Sequence, residues 1–183
     1  MIKKLILFLV FVVIAVITIL YFIFPSFIYE KVMEYRYPIN YRDFIEQDAK
    51  DFSLDPALVS AVIFEESRFR ESSSSDKGAV GLMQLLPDTA DYIAGKIEGQ
   101  RFDSRNLNDP EKNIRYGCYY LNYLNKKYGD LEKVLAAYNA GEGNVDQWIA
   151  EGDYAVKFKE TKDFVEKVKR TKNIYNKLYF DKK

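Results

Sequence analysis

The sequence predicts an all-α protein in which a helical domain follows a single N-terminal transmembrane helix. Leu5 to Phe24 is a run of 20 residues without a charged side chain, and at about 1.5 Å per residue a helix of that length spans the hydrocarbon core of a membrane. The rest of the chain carries repeated helix-capping signals. No stretch shows the sustained apolar alternation that is typical of a β-strand.

The residues that flank the apolar run indicate its orientation and its fate. Lys3 and Lys4 precede the run, and the positive-inside tendency then places the N-terminus in the cytoplasm. A cleaved signal peptide is the alternative, but its apolar region usually has about 7 to 15 residues and ends in a small-residue cleavage site. Here the run is longer and leads into Phe24-Pro25-Ser26-Phe27, which favours an uncleaved anchor.

This interpretation predicts three segments and a location. A cytoplasmic tip and membrane anchor occupy 1–27, a stem occupies 28–40 and a helical domain occupies 41–183. We expect a single-pass protein of a bacterial cell membrane, attached through its N-terminal helix, with the domain on the extracytoplasmic side.

The helices of the domain are predicted from caps, prolines and glycines. Asp55-Pro56 and Asp109-Pro110 each place a capping carboxylate before a proline at the first helical position. Gly129 ends one helix, and Asn139-Ala140-Gly141 is predicted to break the next. The predicted helices cover 41–52, 56–69, 87–99, 109–128, 131–138 and 161–180.

The composition excludes several chemistries. The chain has no histidine and one cysteine, Cys118, so it cannot contain a Ser-His-Asp or Cys-His catalytic site, an HExxH zinc site or an internal disulfide. Its 27 basic and 27 acidic residues give no net charge, which offers no case for a nucleic-acid partner. We predict neither a metal nor a cofactor.

A pair of glutamates is the first candidate for chemistry. Glu65 and Glu66 end the strongly apolar helix that begins at Pro56. Apolar neighbours and the negative end of the helix dipole both disfavour ionisation, so a carboxyl there can remain protonated and act as an acid. Helical periodicity does not choose between the two glutamates, and both could simply mark where the helix leaves the core.

Four motifs in register give the sequence a family resemblance. They are Glu66-Ser67, then Gly81-Leu82-Met83-Gln84 with Pro87, then Asn113-Ile114 with Gly117 and Tyr120-Leu121, then Ala137-Tyr138-Asn139-Ala140-Gly141, with Glu160-Thr161 and Phe164-Val165 closing the domain. In order and spacing this pattern resembles the catalytic domain of the soluble lytic transglycosylases, in the lysozyme-like superfamily. The resemblance covers about 52–175.

The resemblance implies a lysozyme-like helical fold and a peptidoglycan lyase activity. Members of that family cleave the β-1,4 bond between N-acetylmuramic acid (MurNAc) and N-acetylglucosamine (GlcNAc) in the glycan strands of murein. One glutamic acid protonates the glycosidic oxygen and then takes a proton from the C6 hydroxyl of the muramic acid, which closes a 1,6-anhydro ring. Glu66 stands at the position of that catalytic residue.

The resemblance also implies substrate-binding positions in this sequence. Tyr138 resembles the tyrosine beside the catalytic carboxyl, Gln84 the glutamine that contacts sugar amides, and Ser75 the serine of the cleft loop. Asn139 belongs to the same motif as Tyr138 but could instead hold the turn. Glu160 resembles a glutamate near the substrate, although it could also be an acidic residue in the first turn of a helix, where the helix dipole stabilises negative charge.

Two other functions remain open from the sequence. A muramidase of the goose-type lysozyme kind shares the fold and one glutamate but hydrolyses the bond. A non-catalytic module could bind peptidoglycan in the same cleft without cutting it. The sequence does not indicate a protein partner.

Overall fold

The computed structural model describes residues 2–99, 104–152 and 154–181 and forms two compact units, Met1–Pro38 and Ile39–Lys183. The first unit is one helix, α1 (Ile2–Arg36), which contains Pro25. Its segment Ile2–Tyr21 has a mean hydropathy of 2.9 and is long and apolar enough to cross a membrane. The predicted N-terminal apolar helix is therefore present.

The second unit consists of helices, as predicted. They are α2 (Arg42–Asp51), α3 (Pro56–Ser67), α4 (Pro87–Ile97), α5 (Pro110–Tyr128), α6 (Leu131–Ala140), α7 (Glu142–Ala150) and α8 (Lys159–Tyr175). A short 3-10 turn, Ser104–Asn108, precedes α5, and a π-helical turn, Asn176–Phe180, follows α8. The described residues form no β-strand and only two isolated bridges, both involving Val80.

Local capping sets the ends of several helices. The side chains of Asp55, Asp109 and Asp130 each accept a hydrogen bond from a backbone N–H in the first turn of the helix that follows. Gly129 ends α5 with a φ of 64°, in the left-handed region that glycine adopts without steric cost. A cap acts within a few residues of the helix end that it sets. The helix ends at Asp55, Asp109 and Gly129 could therefore be predicted correctly from the sequence.

Helix α3 lies at the centre of the core. Its residues from Ala57 to Phe64 and its last residue, Ser67, are all buried, and it packs most extensively against α8. Helix α6 packs against α5, α7 and α8. This arrangement brings the C-terminal ends of α3 and α6 and the N-terminal end of α8 to one cleft.

The chain near Gly141 differs from the prediction in two respects. Helix α6 continues through Asn139 to Ala140 instead of breaking there, and only Gly141, with a φ of 86°, interrupts it. Helix α7 then begins at once and was not predicted, because Gly141 and Gly143 obscured its start. Its buried residues Val145 and Trp148 are three apart, a spacing that does indicate one face of a helix.

Candidate active site

The six residues that the family resemblance assigned to catalysis or substrate binding all line one open cleft. They are Glu66, Ser75, Gln84, Tyr138, Asn139 and Glu160. A section of about 340 Å³ is lined by Glu66, Ser75, Asp76, Lys77, Ala79, Gln84, Leu86, Tyr138, Asn139 and Glu160. A second section of about 430 Å³ shares six of these residues with the first, namely Lys77, Gln84, Leu86, Tyr138, Asn139 and Glu160. The two sections therefore form a continuous groove.

The structure distinguishes the two adjacent glutamates. Glu65 accepts a hydrogen bond from the Thr171 hydroxyl at 2.6 Å and lies 3.4 Å from the Arg68 guanidinium. Its side chain is only 6% exposed, and its bond to Thr171 connects α3 to α8. Glu66 lines the cleft, and among the described residues no side chain hydrogen-bonds its carboxyl. Glu65 is therefore a structural carboxylate, whereas Glu66 is available to a ligand.

The surroundings of Glu66 favour its protonated form. Burial raises the pKa of Glu66 to about 8, and the negative charges of Glu160 and Glu65 add to this shift. A carboxyl with that pKa is mostly protonated at neutral pH, yet it can ionise without a large cost. This is the range in which one group can first donate and later accept a proton.

Tyr138 lies near Glu66 but bonds elsewhere. Its hydroxyl donates to the Met83 carbonyl at 2.8 Å, and burial raises the pKa of the phenol well above its usual value, with a smaller contribution from the Glu66 carboxylate. The Met83 N–H in turn donates to the Asn113 side chain at 2.7 Å. Tyr138 is thus fixed by the turn around Met83, whose side chain is buried.

Gln84 shows how the cleft loop uses its polar groups. Its φ is 48°, and its amide Nε2 donates to the Ser73 carbonyl at 3.1 Å and to the Gly81 carbonyl at 2.9 Å. The NH₂ group is therefore used by the loop itself. Within the part of the chain that the structure describes, no hydrogen bond engages the Gln84 Oε1, which leaves this oxygen as an acceptor for an N–H of a ligand.

Ser75 and Asn139 both combine a cleft position with a structural bond. The Ser75 hydroxyl accepts a hydrogen bond from the Ala79 N–H at 3.1 Å. The Asn139 Oδ1 accepts one from the buried Thr161 hydroxyl at 2.8 Å, which ties the end of α6 to the start of α8. Asn139 therefore does not hold a turn; it lies in the last turn of α6 and connects two helices at the cleft.

Glu160 is both a first-turn residue of α8 and a residue of the cleft lining. It lines both sections of the groove. Its Oε2 is 3.8 Å from the Lys77 ammonium, and the two side chains are 77% and 82% exposed. Glu160 is therefore a solvated carboxylate at the mouth of the cleft, whereas Glu66 lies deeper.

Sequence reasoning missed several further cleft residues, among them Asp76, Lys77 and Phe158. Asp76 and Lys77 lie in a loop of serines and charges without a motif of its own. Phe158, just before α8, is 47% exposed and lines the second section, and its position two residues before Glu160 was the only available signal. Phe69, by contrast, is buried and packs near Tyr175. In the described segments, no group of three or more metal-binding side chains occurs.

Comparison with known proteins identifies the family. The family model described as Transglycosylase SLT domain matches residues 43–161, and the chain therefore belongs to this family. The soluble lytic murein transglycosylase of Escherichia coli is 30% identical over 148 residues, which are 74% of this chain and 23% of that protein. The membrane-bound lytic murein transglycosylase C of Haemophilus influenzae is 34% identical over 116 residues, which are 58% of this chain and 32% of that protein.

A solved structure confirms the fold. An inactive Glu-to-Gln mutant of the lytic transglycosylase Slt from Pseudomonas aeruginosa superposes with a TM-score of 0.73 at 31% identity, over 79% of this chain and 25% of that one. The expected all-α, lysozyme-like domain is thus confirmed. This chain spans about a quarter to a third of the length of these relatives.

Proposed function

We propose that the domain is a lytic transglycosylase that cleaves the β-1,4 bond between MurNAc and GlcNAc in peptidoglycan and leaves a 1,6-anhydro-MurNAc end. The observation that carries the proposal is Glu66, a carboxyl without a bonded partner among the described residues, whose pKa is raised to about 8 by burial in an open groove. The names of the relatives support the substrate and the reaction class.

The proposed reaction needs one carboxyl and no water. The Glu66 carboxylic acid gives its proton to the glycosidic oxygen, and the bond from MurNAc C1 to that oxygen breaks. The Glu66 carboxylate then takes the proton of the C6 hydroxyl while O6 bonds to C1. Glu66 ends the cycle protonated, and the product is lighter by one water than the product of hydrolysis.

The position of the other carboxylates supports this route. Ordinary glycosidases use two carboxyl groups that flank the scissile bond. Asp76 and Glu160 also line the cleft, but both are exposed, and Glu160 pairs with Lys77 at the mouth. An intramolecular hydroxyl needs no activated water, because its effective molarity can reach about 10⁵ M or more in favourable geometry.

Digestion of purified sacculi in ¹⁸O-water tests the reaction. We expect muropeptides with unlabelled anhydro ends by mass spectrometry from the full chain in detergent. The Asp76→Asn and Glu160→Gln variants should weaken substrate handling at most and should keep the same product. Labelled reducing MurNAc as the main species would make the protein a muramidase, and binding without any cleavage would make it a peptidoglycan-binding module.

We further propose that α1 anchors the protein in the membrane with the domain outside the cytoplasm. The support is the apolar segment Ile2–Tyr21, the lysines before it, and the membrane-bound relative. We expect the intact N-terminus in the membrane fraction, and a chain that begins at Ile39 should be soluble and active. Mass spectrometry of the purified protein tests this, and a mature chain beginning after Phe24 in the medium would contradict it.

A further inference from the structure

Lys77 is a cation in a groove that is otherwise neutral or acidic. In the described segments it is the one basic residue that lines either of the two joined sections. The acidic side chains there are Glu66, Asp76 and Glu160. A single ammonium at the junction of the two sections marks a place where a bound polymer can present one negative group.

The loop presents Lys77 from a fixed backbone. The Gly78 N–H donates to the Ser75 carbonyl at 2.9 Å, and the Ser75 N–H donates to the Ala79 carbonyl at 3.0 Å. The Ala79 N–H also donates to the Ser75 hydroxyl, and Gly78 has a φ of 81°. These bonds close a tight turn whose outer positions are Asp76 and Lys77, so the Lys77 side chain extends from an anchored point.

The partner of Lys77 in the free protein holds it weakly. The Glu160 carboxylate is 3.8 Å from the ammonium, and both side chains are more than three-quarters exposed. Ion pairs of this kind contribute little to stability, because water solvates both charges. A ligand carboxylate that enters the groove can therefore take over the ammonium at small cost.

The geometry points to Lys77 as a residue that binds a carboxylate on the C3 substituent of a muramic acid in the groove, an inference that rests on the proposed function. The sugar rings and N-acetyl groups of the glycan are uncharged. The carboxylates lie on the C3 substituent, either in an attached stem peptide or as the lactyl group where no stem is attached. Lys77 would thus make the enzyme sensitive to the charge of this substituent.

Three strand preparations distinguish the two sources of the carboxylate. The first is uncross-linked strands with native stems, the second is the same strands with stem carboxylates converted to amides, and the third is strands stripped of stems by an amidase, which frees the lactyl carboxylate. Binding is measured with the full chain in detergent as Glu66→Gln, with and without Lys77→Met. Cleavage of the same preparations by the unmodified chain is measured separately and tests the proposed function.

The measured quantity is the factor by which Lys77→Met weakens binding to each preparation. We expect a factor of about two to five on a preparation that offers the carboxylate, as for an ion pair that stays in contact with water, and a factor near one on the amidated strands. A larger factor on native stems assigns the stem as the source, and a larger factor on stripped strands assigns the lactyl group.

Two comparisons make the test specific. Lys159→Met removes another exposed lysine, one residue from Glu160 but outside the groove lining, and it should leave the preference for charged strands unchanged. An equal factor for Lys77→Met on all three preparations would overturn the inference, since Lys77 would then act only through Glu160. Absence of cleavage with a preparation-dependent factor would refute the proposed function while supporting the carboxylate site.

Discussion

Glu66→Gln is expected to lower the cleavage rate by a factor of about 10² to 10⁴, which is the range for loss of a general acid–base group. The amide keeps nearly the same volume but can neither donate the proton to the glycosidic oxygen nor accept one from the C6 hydroxyl. Because the proposed reaction uses this one group in both steps, we expect the upper part of that range. Release of soluble muropeptides from sacculi measures the rate.

Glu65→Gln is the matched control, since it makes the same chemical change one residue earlier on α3. A glutamine there can still accept the hydrogen bond from Thr171. It loses the 3.4 Å contact with the exposed Arg68 side chain and the smaller contribution of the Glu65 charge to the raised pKa of Glu66. We expect it to retain most of the activity. An inactive Glu65 variant beside an active Glu66 variant would mean that the carboxyl in the cleft is not the acid.

The raised pKa of Glu66 also predicts how activity depends on pH. The acid must be protonated at the start of the cycle, so the rate of the unmodified protein should fall as the pH rises through about 8. The pH profile of kcat/KM reports this group in the free enzyme. A profile in which the rate instead rises through pH 8 would contradict the assignment of Glu66 as the initial acid.

The same pKa predicts a stability effect with a defined sign. Folding raises the pKa of Glu66 from 4.5 to about 8, so between these values the folded state holds a proton that the unfolded state has lost. The free energy of unfolding therefore decreases as the pH rises across this window. Glu66→Gln removes this pH dependence. The free energy of unfolding of the variant, relative to that of the unmodified protein, should therefore increase by a few kcal/mol between about pH 5 and pH 9. Denaturant titrations at several pH values measure this difference.

The elements that the sequence predicted correctly are those with local causes. The caps at Asp55 and Asp109, the prolines that follow them and the stop at Gly129 each act within one turn of helix, and the structure places helix ends at them. Helix α7 was missed because Gly141 before it and Gly143 in its first turn resemble a loop, whereas the burial of Trp148 depends on packing against other helices. A single sequence does not reveal that packing.

The site was predictable to the extent that its residues lie in motifs. Periodicity could not separate Glu65 from Glu66, because the residue that engages Glu65, Thr171, is 106 positions away in the sequence. The family resemblance made that choice, and the geometry gives it a physical reason. Lys77 escaped notice since its significance depends on which charges surround it across the groove, and those come from α3, the loop and α8.

Asn113 connects the core to this site. Among the substitutions considered, its replacement should lower the free energy of unfolding most. It is fully buried, and its Nδ2 donates to the carbonyls of Val80 and Leu107 at 3.0 and 2.9 Å. Its Oδ1 accepts the Met83 N–H at 2.7 Å. It therefore holds the turn around Gly81, where φ is 84° and a side chain would collide with Asn113 itself.

Asn113→Ala removes all three bonds, and the Met83 N–H and the Leu107 carbonyl lose this partner inside the protein, whereas the Val80 carbonyl keeps the bond from the Leu85 N–H. A buried polar group without a partner costs about 1 to 3 kcal/mol, so we expect the free energy of unfolding to fall by about 3 kcal/mol or more. For a domain of this size that corresponds to a decrease in Tm of roughly 10 °C, measurable by thermal unfolding of the unmodified and variant proteins side by side.

The loss should extend to activity, because the bonds continue from Asn113 through Met83 to Tyr138. Once the Met83 backbone is released, the carbonyl that fixes the Tyr138 hydroxyl can shift, and the wall of the cleft beside Glu66 shifts with it. Asn125→Ala makes the same change at an exposed position of α5 and should alter stability by no more than about 0.5 kcal/mol. If Asn113→Ala were as mild as Asn125→Ala, the three bonds would not hold the turn. Cleavage rates measured well below both transitions then separate the effect on the site from the effect on the fold.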